Sequence, residues 1–79
     1  MDTKELSYGE QAVGLTFNPS GDAAVNEIKR LYAQIIDCCD LARTNSQSSE
    51  RKRLFSVAIT EAQGAQMWAV KAVTWKDVV

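Results

Sequence analysis

Histidine is absent from the sequence, proline occurs once, and the two cysteines are adjacent. Without histidine or a CxxC spacing, a zinc site is not expected. The sequence also lacks a nucleophile elbow, a P-loop, a GxGxxG motif and an HExxH motif. We therefore predict a protein that is not an enzyme, with no catalytic residues, no metal and no cofactor.

Cys38 and Cys39 are predicted to be reduced thiols. Adjacent side chains on a helix diverge by about 100°, so a disulfide between them is not expected. Free cysteines behave as small, partly buried apolar residues, and their presence is typical of a reducing, intracellular compartment.

Long apolar runs and an excess of one charge are missing as well. No segment approaches the 18 or so apolar residues of a membrane span, and the first residues lack the apolar core of a signal peptide. Nine basic and ten acidic residues give a net charge of −1. Binding to duplex nucleic acid is therefore not expected, because it needs a basic excess. A small anionic ligand needs only a local basic cluster.

Three helical segments are predicted within a single all-α domain over residues 1–79. Ser7 and Glu10 form a capping-box pattern, and Gly14 stands where a helix ends, so a short helix is expected over about 8–13. Apolar spacings of three and four predict a long helix over about 21–43, and a second over about 50–75, with Ser48 or Ser49 as its cap. The predicted apolar stripe of the first long helix comprises Val25, Ile28, Tyr32, Ile35, Cys39 and Ala42. Four further apolar residues widen this stripe: Leu31, Ile36, Cys38 and Leu41.

The second long helix carries two faces that both favour packing. One face is mostly alanine, at Phe55, Ala58, Ala62, Ala65, Ala69 and Ala72. The other comprises Ile59, Gln63, Gln66, Val70 and Val73. One partner helix cannot cover both, and a chain this short buries little core alone. The prediction is a hairpin of two long antiparallel helices with a short N-terminal helix, assembled as a homo-oligomer. Trp68 and Trp75 are predicted to pack.

The segment FNPSGD, residues 17–22, precedes the first long helix. Asn18, Pro19 and Gly21 fit positions i, i+1 and i+3 of a type I turn, and Ser20 or Asp22 can cap the helix. Two interpretations of Phe17 stay open. The ring is either a hydrophobic plug at the end of the hairpin or a platform on which a base stacks. In the second, the amides of Asn18 and Asn26 would bond to base edges.

Basic residues form two clusters, Lys29 with Arg30 and Arg51 with Lys52 and Arg53. In a hairpin these lie toward opposite ends of one chain and meet only between subunits. Positive charge at the start of a helix opposes its dipole, and a bound anion would offset that mismatch. A solvated helix start is the alternative.

Asp37 and Asp40 are interpreted as a solvated face near Arg43, with metal binding as the alternative.

Two stretches, GLTFNPSGDAAVNEIKRLYAQIID and RLFSVAITEAQGAQMWAVKAV, resemble the hairpin domain shared by phage anti-CBASS proteins and Thoeris anti-defence proteins. Members of this family are phage-encoded sponges, which bind the cyclic nucleotide signals of bacterial immunity and hold them without cleavage. The resemblance implies homo-oligomers, commonly hexamers, with ligand pockets at subunit interfaces.

The resemblance also implies which residues contact the ligand. The aromatic residue ahead of the first long helix stacks on a base, and the lysine of the NxIK pattern contacts the ligand. Arginines near the start of the second long helix contact phosphate in Thoeris-type members. Thr60 matches a threonine near a separate trinucleotide site, although the arginine that precedes it there is Ile59 here. The expected ligand-binding set is Phe17, Asn18, Asn26, Lys29, Arg30, Arg51, Arg53 and Thr60.

The function expected from this resemblance is a sponge for cyclic di- or trinucleotides or glycocyclic ADP-ribose. It would act in the cytoplasm of the infected bacterial host and block CBASS or Thoeris signalling, with no duplex nucleic acid or membrane as partner. The alternatives are a small helical protein–protein interaction module, such as an inhibitor of a host protein, and a structural helical protein without a ligand.

Overall fold

The computed structural model describes residues 5–78. The prediction that the chain does not begin with a signal peptide concerns residues that lie partly outside this range. It contains three helices, α1 (Tyr8–Val13), α2 (Ala23–Asn45) and α3 (Ser49–Thr74). The long helices pack on each other, and α1 lies mainly against α2. The described residues form no strand, so the all-α hairpin prediction is confirmed. None of the helices in this part of the chain has the length and apolarity needed to cross a membrane.

The helix ends follow local sequence signals. At α1, Ser7 and Glu10 form the predicted capping box, and Gly14 ends the helix in the left-handed region at φ 64°. Asp22 rather than Ser20 caps α2, because its carboxylate accepts from the Ala24 amide at 2.8 Å. Ser48 caps α3.

The buried face of α2 agrees with most of the predicted stripe. Val25 and Ile36 are buried, and Tyr32 and Cys39 pack half-buried against the core. The prediction was wrong for Ile35, which is 51% exposed, because α2 packs against both α1 and α3 and the apolar spacing does not show which side each helix occupies. The core residues are Val13, Val25, Ala33, Ile36 and Ile59.

Asp37 tethers α1 to the middle of α2. Its carboxylate accepts from the Ser7 hydroxyl and from the Gly9 amide, each at 2.7 Å. Gly9 itself lies so close to α2 that an added Cβ would be 2.1 Å from the Ala33 carbonyl oxygen. The solvated-face interpretation was therefore wrong for Asp37, whose carboxylate acts between helices. Asp40 instead pairs with Arg43 at 2.6 Å.

Replacing Asp37 with alanine should lower the free energy of unfolding by about 1.5–3 kcal/mol, because two hydrogen bonds to a carboxylate are lost. Urea denaturation followed by circular dichroism measures this at a fixed protein concentration. The control is Glu27→Ala, which removes an exposed i,i+3 pair with Arg30 and should leave the free energy of unfolding nearly unchanged. Equal losses of unfolding free energy in the two variants would show that the Asp37 hydrogen bonds stabilise the fold no more than an exposed ion pair does.

The alanine face of α3 is only partly covered by residues 5–78. Ala62 packs half-buried against the core, whereas Ala58, Ala65 and Ala72 are exposed. The buried residues of α3, Ile59 and Gln66, lie on its other face. The predicted packing of the tryptophans is not seen in the single chain, since Trp68 is 71% and Trp75 61% exposed.

Candidate functional site

A cavity of about 620 Å³ lies where the end of α1 and its following loop meet the start of α2 and the second half of α3. We call it the main cavity. Its walls are largely apolar, with a few polar groups that point into it, an arrangement common in ligand sites of this size. Its lining includes Gln11, Val13, Gly14, Phe17, Asn18, Pro19, Val25, Lys29, Gln63, Gln66, Met67, Val70 and Thr74.

The FNPSGD loop forms one rim of the main cavity. The predicted turn is present, because the Gly21 amide donates to the Asn18 carbonyl at 3.1 Å. The Asn18 side chain is bonded to the loop and to the start of α2. Its amide nitrogen donates to the Asp22 carbonyl and to the Asn26 side-chain oxygen, each at 2.9 Å, and its oxygen accepts from the Ser20 hydroxyl. Asn18 and Asn26 therefore brace the rim, and an Asn18 contact to a base would require these bonds to break.

Lys29 forms the charged part of the cavity wall. Its side chain is buried, and its ammonium donates to the Gly14 carbonyl at 3.0 Å and to the Phe17 carbonyl. Gly14 ends α1, so the ammonium also lies at the negative end of that helix. A lysine ammonium has three donors, and these carbonyls take two. The third donor is not used by these carbonyls.

Phe17 lies beside this ammonium with most of its ring uncovered. The lysine nitrogen is 5.4 Å from the ring centroid, within the range of a cation–π contact. The side chain is 69% exposed. The plug interpretation is therefore wrong for the single chain, and the ring is free to stack on a planar ligand.

Arg30 and Arg53 lie on exposed helix surfaces outside the main cavity. The Arg30 guanidinium contacts Glu27 at 2.5 Å, and its hydrogen bond lowers the pKa of that carboxyl. Arg53 does the same to Glu50 at 2.6 Å, where hydrogen bonding again lowers the carboxyl pKa. Each pair uses the Nε and Nη2 atoms of its arginine, so the remaining N–H donors of both guanidinium groups stay available to a phosphate.

Arg51 and Thr60 are also separate from the main cavity. Arg51 lines a second cavity of about 490 Å³ at the other end of the hairpin, with Asn45 and Phe55. The Thr60 hydroxyl donates to the Ser56 carbonyl of its own helix at 3.1 Å. Of the expected ligand-binding set, the main cavity brings together Phe17, Asn18 and Lys29, with Asn26 behind them.

Sequence reasoning missed Gln63 and Gln66 as cavity residues, because it assigned both to the packing face of α3. They do lie on that face, but the face extends past the core and forms the cavity wall. The sequence signal that could have identified them is the presence of two amide side chains one helical turn apart among apolar residues. No group of three metal-ligating side chains occurs among residues 5–78.

The comparisons with known proteins place most of the chain in one family. A model of the Acb2/Tad1 hairpin domain matches residues 9–74, which include α2, α3 and every residue of the expected ligand-binding set. Comparisons with curated proteins and with solved structures found no match.

Proposed function

The chain belongs to the Acb2/Tad1 hairpin-domain family, and on that premise we propose that it is a phage-encoded sponge for a cyclic nucleotide signal. This family is known for sequestering such signals. The proposed ligand is a cyclic di- or trinucleotide or a glycocyclic ADP-ribose, held inside the infected bacterial cell so that CBASS or Thoeris signalling stops.

The observation that carries the proposal is the pairing of an exposed aromatic ring with a buried ammonium in one cavity. A nucleotide combines a flat base with a phosphate anion. The Phe17 ring would stack on the base, and the free donor of Lys29 would reach the phosphate. Because two backbone carbonyls already fix the ammonium, little side-chain freedom is lost when the ligand binds.

We propose binding without cleavage. The charged group of the main cavity is an ammonium that donates to two carbonyls. In that state its nitrogen has no lone pair with which to accept a proton, so Lys29 is suited to hold a phosphate and not to act as a general base.

The proposal includes self-association, with six subunits as the family resemblance implies. Exposed apolar side chains on both long helices support it, since patches of this kind mark interaction surfaces. Arg51 and Arg53 lie at the far end of the hairpin from Phe17, so only a second subunit would bring them to the same ligand. The exposed set includes Leu31, Ile35, Leu41, Leu54, Val57, Met67, Trp68 and Trp75.

The alternative function is a protein–protein module that inhibits a host protein, and the same exposed apolar surface favours it. Native mass spectrometry separates the two. The sponge should appear as an oligomer carrying ligand of unchanged mass. A protein that stays free of ligand after incubation with cyclic di- and trinucleotides and glycocyclic ADP-ribose isomers would support the alternative.

Replacing Phe17 with alanine should weaken ligand binding about 5- to 150-fold, the equivalent of losing about 1–3 kcal/mol of base stacking. Thermal stability should change little, because the ring is mostly exposed. Calorimetric titration and thermal melts measure the two effects. Phe17→Tyr is the matched control, since it keeps the ring and should bind like the wild type. A large fall in melting temperature with unchanged affinity would restore the plug interpretation.

A further inference from the structure

One buried amide in the main cavity is not used by the fold. Gln66 is 5% exposed and lines the cavity. None of the side-chain hydrogen bonds between residues 5–78 involves its amide, and no enclosed side-chain nitrogen or oxygen there lacks a partner. The Gln66 amide is therefore open to the cavity.

Buried polar groups in folded proteins are nearly always hydrogen-bonded. The Gln66 amide thus needs a partner from outside the chain, either water or a ligand group. Asn18, by contrast, already bonds to Ser20 and Asp22 of the loop and to Asn26 of α2. Gln66 is the buried side-chain amide of the main cavity that remains free for a ligand.

We propose that Gln66 is a specificity-determining residue, whose amide bonds to the edge of the stacked base that carries N7 and thereby selects adenine. This inference rests on the proposed function and deepens it. An amide presents a donor beside an acceptor, which matches the N6 donor and N7 acceptor of adenine. The corresponding edge of guanine shows two acceptors, N7 and O6, so one of them would face the amide oxygen.

Stacking and edge contacts should leave different signatures in affinity data. A ring stacks on any base, so Phe17 affects all nucleotide ligands alike. An edge contact distinguishes bases, so Gln66 affects their ranking. A loss of ranking in a folded variant is therefore a readout that a merely structural role for Gln66 would not produce.

The experiment titrates the full chain with cyclic di-AMP, cyclic di-GMP and a glycocyclic ADP-ribose. We expect the wild type to bind an adenine-bearing ligand about 5- to 150-fold more tightly than cyclic di-GMP, the range of one bidentate pair. Gln66→Met keeps the length of the side chain without its donor and acceptor, and should remove most of that preference. Gln34→Met, on the exposed surface of α2 and outside the main cavity, is the matched control and should keep it.

Three results would overturn the inference. In the first, the wild type binds guanine ligands as well as or better than adenine ligands. In the second, Gln66→Met lowers all affinities by one factor, which leaves the proposed function standing. In the third, no nucleotide binds the wild type, and the proposed function fails as well. If the methionine variant does not fold, Gln66→Asn withdraws the amide by one methylene and should reduce the preference in the same way.

Discussion

Replacing Gly9 with alanine should lower the free energy of unfolding by about 1–3 kcal/mol, the range found for overpacking a closed contact. The added Cβ would be 2.1 Å from the Ala33 carbonyl oxygen and 2.8 Å from an oxygen of Asp37. The first of these is backbone in the middle of α2 and cannot move aside without distorting that helix. We therefore expect α1 to detach, and urea denaturation with circular dichroism to show the loss.

Gly64→Ala is the matched control for this variant. Gly64 lies within α3, and an added Cβ meets nothing within 4 Å. Alanine there should stabilise the helix by about 0.5–1 kcal/mol, because glycine loses more backbone entropy on folding. The two substitutions are chemically identical, so opposite signs would show that the Gly9 contact is specific. Equal destabilisation by both would contradict the docking of α1.

Detachment of α1 should also abolish ligand binding. Gly14 at the end of α1 supplies a carbonyl to Lys29, and α1 forms part of the cavity wall. The Gly9→Ala variant is therefore expected to lose affinity although Gly9 does not line the main cavity. Loss of α1 with unchanged affinity would place the ligand elsewhere.

Replacing Lys29 with alanine should reduce both stability and ligand affinity. From the sequence alone, Lys29→Ala would be expected to weaken ligand binding without lowering stability, because a lysine on a helix usually lies in solvent. In the structure the ammonium satisfies two carbonyls, so its removal should cost about 1–3 kcal/mol for each carbonyl that is left without a donor. Loss of a charge-assisted bond to phosphate should weaken binding by a further factor of about 10–150.

Arg30→Ala is the control for Lys29, because it removes a neighbouring positive charge that pairs with Glu27 in solvent. Its removal should leave the free energy of unfolding nearly unchanged, because exposed ion pairs contribute little to stability. Binding should be compared where circular dichroism shows both variants folded. A folded Lys29→Ala variant with wild-type affinity would reduce Lys29 to a structural residue and remove the phosphate contact from the proposal.

The parts of the fold that the sequence predicts are those determined by neighbours in the chain. Ser7 and Glu10 are three residues apart, so their capping box follows from local geometry. The turn at Asn18 and Gly21 is local in the same way. The α1 ending at Gly14 needs only a residue that tolerates positive φ.

The parts that could not be predicted depend on contacts between distant residues. Asp37 contacts Ser7 across 30 positions of the chain, and nothing near it in sequence marks it as a tether. Lys29 is buried because the end of α1 supplies carbonyls to it. Ile35 fits the apolar period yet lies outside, because periodicity alone does not determine which side of α2 receives α1 and α3.

The positions of the expected ligand-binding residues also depend on contacts between distant parts of the chain or between subunits. Phe17, Asn18 and Lys29 meet in the main cavity because α1 and the loop are joined through Lys29. Arg51 lies at the other end of the hairpin, and its contribution depends on how copies of the chain assemble.

The most direct test of the central claim is a calorimetric titration of the full chain with cyclic nucleotides, followed by recovery of the ligand. The panel holds cyclic di- and trinucleotides and glycocyclic ADP-ribose isomers. After saturation the protein is denatured by heat, and the released ligand is analysed by chromatography and mass spectrometry. The sponge account predicts tight binding of at least one ligand and its return unchanged. No binding at micromolar concentration, or recovery of a cleaved ligand, would contradict it.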